Sequence, residues 1–241
     1  MGFFDFMTRQ GNQDPAGFQP LPVGATSSTK IVQELLALPK AERNAAWSRQ
    51  FLAHVADAAF FSRYPSVLLG ADRLPFFALH STAGEEPYPT HVIHHMKDDI
   101  LLEHGMGVVI NPSGTDADWA FSFGDILNFH LHGAFYPPQA EAAAAPTQGM
   151  APQSRLPQPA RNALRTFLQG LGVAEPRVML AAWDHAGPGS LELVFSFSPQ
   201  EFNSVEDFRF AMSNLCWYLP RNYSYSVAGK QARQDGAFER L

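Results

Sequence analysis

Apolar residues recur at helical spacing in the first part of the chain. Ile31, Leu35 and Leu38 follow Ser28 and Thr29, either of which suits a helix N-cap, and Pro39 stops the run. Pro39 in turn opens a second expected helix from about Lys40 to Phe60. Its stripe is Trp47, Phe51, His54, Val55 and Ala58, one face of a 3.6-residue period. Tyr64-Pro65 breaks that helix. Ser66–Leu69 and Leu74–Leu79 read as short strands around a turn at Gly70-Ala71-Asp72. Thr90 to about Glu103 reads as a helix ending at His104-Gly105. Met106–Ile110 and Trp119–Phe123 read as strands, with a turn at Asn111-Pro-Ser-Gly114 between them. Gly124–Leu131 reads as a helix, and Ser122 and Asp125 stand in capping-box relation.

Residues 137–159 change character. Six prolines fall between Tyr136 and Pro159, among alanine, glutamine and glycine, with few large apolar side chains. Such a stretch buries too little surface to build a core and favours extended backbone, so it reads as a domain linker. Beyond it Ala160–Leu171 reads as a helix stopped by Gly172, with Leu164, Phe167, Leu168 and Leu171 on one side. Arg177–Trp183 and Leu191–Phe197 suit a hairpin, Val205–Tyr218 a helix, and Tyr223–Val227 a last strand. The expected fold class is therefore α+β, with two small domains, each a mixed or antiparallel sheet carrying packed helices. The expected boundaries are an irregular leader (1–28), an N-terminal domain (29–136), the linker (137–159), a C-terminal domain (160–228) and a polar tail (229–241).

Composition adjusts this picture modestly. The 241 residues are 46% hydrophobic, 12% aromatic and only 17% charged. That balance excludes wholesale disorder and points to buried aromatics or a contact patch. The net charge is −6, which disfavours nucleic acid as a partner. All of that excess lies in residues 1–159, and the rest is neutral, which makes the second half the better candidate for protein contact. The one cysteine, Cys216, excludes an internal disulfide, fits a reducing cytoplasm and reads as a buried structural thiol. The opening Met1–Met7 lacks the basic start and long apolar run of a secretory signal. Its Gly2 is followed by Phe6 where a myristoylation motif needs Ser or Thr. Phe3 and Phe4 there are candidates for docking on a partner or, as an alternative, on a membrane surface.

Histidine carries the one candidate for metal chemistry. On a helix over 90–103, His91, His95 and Asp98 would share a face and converge as ligands. A metal-dependent hydrolase using them, with Glu103 or His130 as general base, is the enzymatic alternative. No named metal spacing, phosphate-cradling loop or nucleophile elbow occurs. Gly105-Met-Gly107 precedes a strand, whereas a dinucleotide loop follows one. No cofactor is expected.

The order Leu74-Pro-Phe-Phe77, then Gly105-Met-Gly-Val-Val-Ile-Asn-Pro-Ser113, then Phe123-Gly-Asp-Ile-Leu127, then Pro176-Arg-Val-Met-Leu-Ala-Ala-Trp183 resembles the SseB family of bacterial proteins, named for enhanced serine sensitivity. The likeness spans residues 30–136 and 160–228. The Ala/Pro linker and the His-rich segment depart from it. The resemblance implies a two-domain α+β protein of the cytoplasm that binds partners and supplies no catalytic residue. The expected function is thus a non-enzymatic module that contacts another protein or itself. Turn loops carry recognition more often than regular elements, so the expected contact residues are Asn111, Pro112, Ser113, Gly114 and Trp119, with Phe3 and Phe4.

Overall fold

The computed structural model describes residues 23–84, 89–136, 156–182, 191–228 and 237–241. Phe3 and Phe4, nearly all of the leader, most of the linker and the loop joining the Arg177 and Leu191 strands lie outside the described residues. The described chain is an α+β fold with six α-helices, one two-stranded sheet and two four-stranded sheets. Among the described residues no helix is long and apolar enough to cross a membrane. The described residues form two compact units, one from the described parts of 1–63 and 80–93, the other from those of 64–79 and 94–241.

The smaller unit holds α1 (Val23–Ala37), a 3-10 turn (Lys40–Glu42), α2 (Ala45–His54), and the antiparallel pair β1 (Ala59–Phe61) and β4 (Thr90–Val92). The expected helix over 40–60 is divided because Asn44 caps a fresh start, its side chain accepting from the Ala46 and Trp47 N–H groups. Phe60 and Phe61 then leave the helix and pair with His91 and Thr90. The buried face of α1 is Val32, Leu35 and Leu36, while Leu38 is exposed. Trp47 locks α2 to α1: its Nε1 donates to the Leu35 carbonyl at 2.8 Å and its ring stacks on Phe51 at 4.9 Å. Arg43 donates to the Leu36 and Leu38 carbonyls, satisfying the C-terminal end of α1.

The larger unit contains both four-stranded sheets. The first has the order β2 (Val67–Leu69), β3 (Pro75–Leu79), β5 (Gly107–Ile110), β6 (Trp119–Phe121), with only the β3–β5 contact parallel. Helix α4 (Phe123–His132) follows β6 and is buried at every position from Phe123 to Phe129. Its buried polar side chains are hydrogen-bonded: Asp125 accepts from the Ser122 N–H and the Asn128 amide donates to the Ala134 carbonyl. The second sheet has the order β10 (Glu239–Arg240), β7 (Arg177–Ala182), β8 (Leu191–Ser196), β9 (Ser224–Ala228). Helices α5 (Gln158–Gly170) and α6 (Val205–Asn214) belong to this part of the chain.

The division into units differs from the expected one at residues 137–159, since the sheet before that stretch and the sheet after it share the larger unit. The reason is a close backbone approach. A Cβ on Gly124 would lie 1.9 Å from the Leu219 carbonyl oxygen, so the start of α4 and the segment before β9 fit together only with glycine there. The polar-tail expectation also needs correction. Phe238 and Leu241 are buried, β10 pairs antiparallel with Arg177 and Val178, and the buried Arg161 guanidinium donates to Glu239 and to the Arg240 carbonyl. Two buried apolar residues among polar ones anchor β10 at the edge of the sheet.

Candidate functional site

The expected helix over 90–103 is not one helix. Thr90–Val92 is strand β4, Ile93–Met96 is a single α turn (α3), and Lys97–Leu102 is a π-helical turn. His91 therefore pairs across the smaller unit's sheet with Phe60, and its Nε2 lies 3.0 Å from the Ser62 hydroxyl. Burial lowers its pKa below the ordinary histidine value. His95 lies on the α3 turn, and Asp98 on the π turn bonds Lys97 Nζ at 2.6 Å and His130 Nδ1 at 2.9 Å. Burial raises the Asp98 pKa, but Lys97 and His130 outweigh it and hold the carboxyl below its ordinary value. The i, i+4, i+7 spacing that would have joined His91, His95 and Asp98 depends on one helix and is lost. Among the described residues no group of three or more His, Cys, Asp or Glu side chains is placed to hold a metal. His130, the alternative general base, is committed to Asp98.

The expected contact loop is closed on itself. Asn111 sits at φ 49° and its amide donates to Asp118 at 2.8 Å. Ser113 and Asp116 exchange two backbone hydrogen bonds, leaving Ser113 and Gly114 exposed at the tip and Pro112 half-buried. Trp119, half-buried on β6, lies with its ring 6.1 Å from that of Phe121, which is 6.3 Å from the Tyr136 ring. Through Tyr136 it joins a cluster that the sequence reading missed.

That cluster is built on the N-terminus of α4. Ser122 caps the helix: its Oγ accepts from the Asp125 N–H at 3.1 Å, and Asp125 Oδ2 accepts from the Ser122 N–H at 3.0 Å. Asp125 is 1% exposed and has a second partner. Arg221 Nε donates to Asp125 Oδ1 at 2.8 Å and a terminal guanidinium nitrogen donates to Oδ2 at 3.1 Å, a bidentate pair. The Arg221 guanidinium also lies 4.2 Å over the Tyr136 ring. Donating these hydrogen bonds to Asp125 raises the arginine's pKa above its ordinary value. Burial, aided by Asp125, raises that of Tyr136. Arg221 is thus fixed on two sides, yet 58% of its side chain remains exposed.

Arg221 stands on the wall of a cleft of about 480 Å³ within the larger unit. Asp72 and Leu74, from the turn between β2 and β3, line it with Ser122. Ser213 and Asn214 come from the end of α6, Cys216 and Trp217 from the 3-10 turn Leu215–Tyr218, and Pro220 and Tyr223 from the turn before β9. The helix expected over 205–218 tightens at Asn214, and the three-residue period explains the outcome. Leu215 and Tyr218 share the inward side, so Cys216 points out. Cys216 is exposed, not the buried thiol expected from sequence. Trp217 is held edge-on to Phe76 at 5.5 Å and stacked near Phe123 at 6.2 Å. A volume of this size, with an aromatic wall, fixed polar groups and an anchored arginine, is suited to hold a ligand or a partner's side chains. The cleft draws on three stretches far apart in the chain, Asp72–Leu74, Ser122 and Ser213–Tyr223, and the only local signal is the capping box.

No family model, curated protein or solved structure matches the chain.

Proposed function

We propose that this chain is a cytoplasmic, non-catalytic module that binds another protein, as its resemblance to the SseB family implies, and that it does so at the Arg221–Trp217 cleft. The observation that carries this reading is the anchoring of Arg221. A buried carboxylate and an aromatic ring hold a guanidinium that is still largely exposed, and arginine and tryptophan fixed in this way are the residues that dominate binding energy at protein interfaces. The single, exposed cysteine, which can form no disulfide within the chain, supports the cytoplasmic part of this reading.

The test is quantitative capture from a cell extract with the full chain, with Arg221→Ala, and with an exposed control, Arg49→Ala. Partners recovered with the wild type and control, and lost with Arg221→Ala while that variant keeps its circular dichroism, bear the reading out. Equal recovery with all three removes it.

A further inference from the structure

The chemistry of the cleft narrows its ligand. This inference rests on the binding role assigned above and adds the class of partner. None of the residues lining the cleft lies in a strand: they belong to two turns, a helix N-cap, a helix end and a 3-10 turn. A ligand that binds by extending a sheet pairs with strand backbone, whereas the lining here is turn, cap and helix end. A helical ligand satisfies its own backbone and asks only for an apolar groove. This wall is mixed: it combines Leu74, Trp217, Pro220 and Tyr223 with Ser122, Ser213 and Arg221. In the Asp125 pair Arg221 uses Nε and one terminal nitrogen, leaving the other terminal nitrogen outside the ion pair.

Polyproline II backbone has the complementary need. It has no internal hydrogen bonds, so its carbonyls seek donors, and its rings stack on aromatic faces at low entropic cost. The charges point the same way. Arg221 is neutralised by Asp125, so the cleft has no surplus positive charge with which to attract an acidic ligand. The exposed lining carboxylate is Asp72, whose Oδ1 takes only the Leu74 N–H at 3.2 Å within the turn. It favours a basic residue at one end of the ligand. We infer that the cleft binds an extended, proline-rich segment of a partner protein, its prolines on Trp217 and Tyr223, its carbonyls on the hydroxyls and Arg221, and a flanking arginine or lysine at Asp72.

The probe is an acetylated, amidated octapeptide of sequence Ala-Pro-Pro-Leu-Pro-Pro-Arg-Gly, titrated into the full chain and followed by the tryptophan indole N–H resonances. The expected result is a saturable shift of the Trp217 signal, identified with Trp217→Phe. An otherwise identical peptide with glycine for proline binds at least about 10-fold more weakly, as loss of preorganised rings demands. Asp72→Asn, whose side-chain oxygen can keep the turn hydrogen bond, abolishes the preference for this peptide over one with alanine in place of its arginine. The wild-type titration needs no variant to fold. A silent Trp217 resonance, or equal affinity for the glycine peptide, overturns the inference. If capture from extract depends on Arg221 while the peptide fails to bind, only the ligand class falls. If capture ignores Arg221, the binding role falls as well.

Discussion

Gly124 occupies the first turn of α4, where intrinsic propensity and tertiary structure make opposite demands. In a free helix, Gly→Ala gains about 0.5–1 kcal/mol by restricting the unfolded chain. Here the added methyl would sit 1.9 Å from the Leu219 carbonyl oxygen and 2.4 Å from its carbonyl carbon. Both atoms are backbone, so no side-chain rotation relieves the clash, and the segment before β9 must retreat by at least about 1 Å. Overpacking of this kind costs about 1–3 kcal/mol, and the displaced segment carries Tyr218 and Leu219, both buried. The expected net effect of Gly124→Ala is a loss of about 2 kcal/mol. For a chain of this length that is a fall of about 4–8 °C in melting temperature. The control is Gly170→Ala in α5, where a Cβ meets nothing within 4 Å, and no loss is expected. Calorimetry and urea unfolding of the three proteins decide the matter. If Gly124→Ala proves as stable as the wild type or more so, the close approach that unites the two sheets in one unit is wrong.

Four further outcomes follow from the same structure. Arg221→Ala leaves the Asp125 carboxylate with the Ser122 N–H alone. The expected cost in urea unfolding is about 2 kcal/mol, between an exposed and a fully buried pair, and Arg221→Lys recovers part of it. Removing the last four residues, Phe238–Leu241, exposes two sites filled by buried apolar side chains and unpairs β10, with an expected loss of about 3 kcal/mol or more by the same assay. Asp98 has a lowered pKa, so its contribution is present above the ordinary carboxyl value of 3.8 and is lost as pH falls below it. Asp98→Asn is expected to cost under about 1 kcal/mol at neutral pH, with the gap closing in acid. His91, by burial, and His80, by burial and Arg63, have lowered pKa values. The folded state therefore takes up fewer protons than the unfolded as pH falls through 6.5, and stability declines there; the double variant His80→Gln, His91→Gln flattens that part of the pH–stability curve.

The sequence was most legible where local chemistry was self-sufficient. The Ser122–Asp125 capping box, the turn residues at Asn111–Gly114 and the β-rich runs Arg177–Ala182 and Leu191–Ser196 all form where periodicity and turn chemistry put them. Helical spacing misled in the histidine segment, because Thr90–Val92 reads equally well as strand and its partner Ala59–Phe61 lies 30 residues away. Helix boundaries shifted where an unnoticed cap intervened, as at Asn44. The cleft itself left almost no trace. Asp72, Ser122 and Arg221 line one cleft where the start of α4 and the segment before β9 come together at Gly124 and Leu219, and no pattern in one stretch of chain encodes a contact with another so far along it. The proline-rich stretch suggested independent halves, but the residues on either side of it fold into a common unit.

The central claim is that the cleft beside Arg221 is the surface a partner touches. The most direct measurement places a photo-reactive benzoyl-phenylalanine in vivo at Ser213 on the cleft wall and, separately, at the exposed Arg49 and Glu206. Irradiation of intact cells is expected to give discrete higher-mass adducts from position 213 and none from the other two. Adducts from Arg49 or Glu206 with none from Ser213 would contradict it.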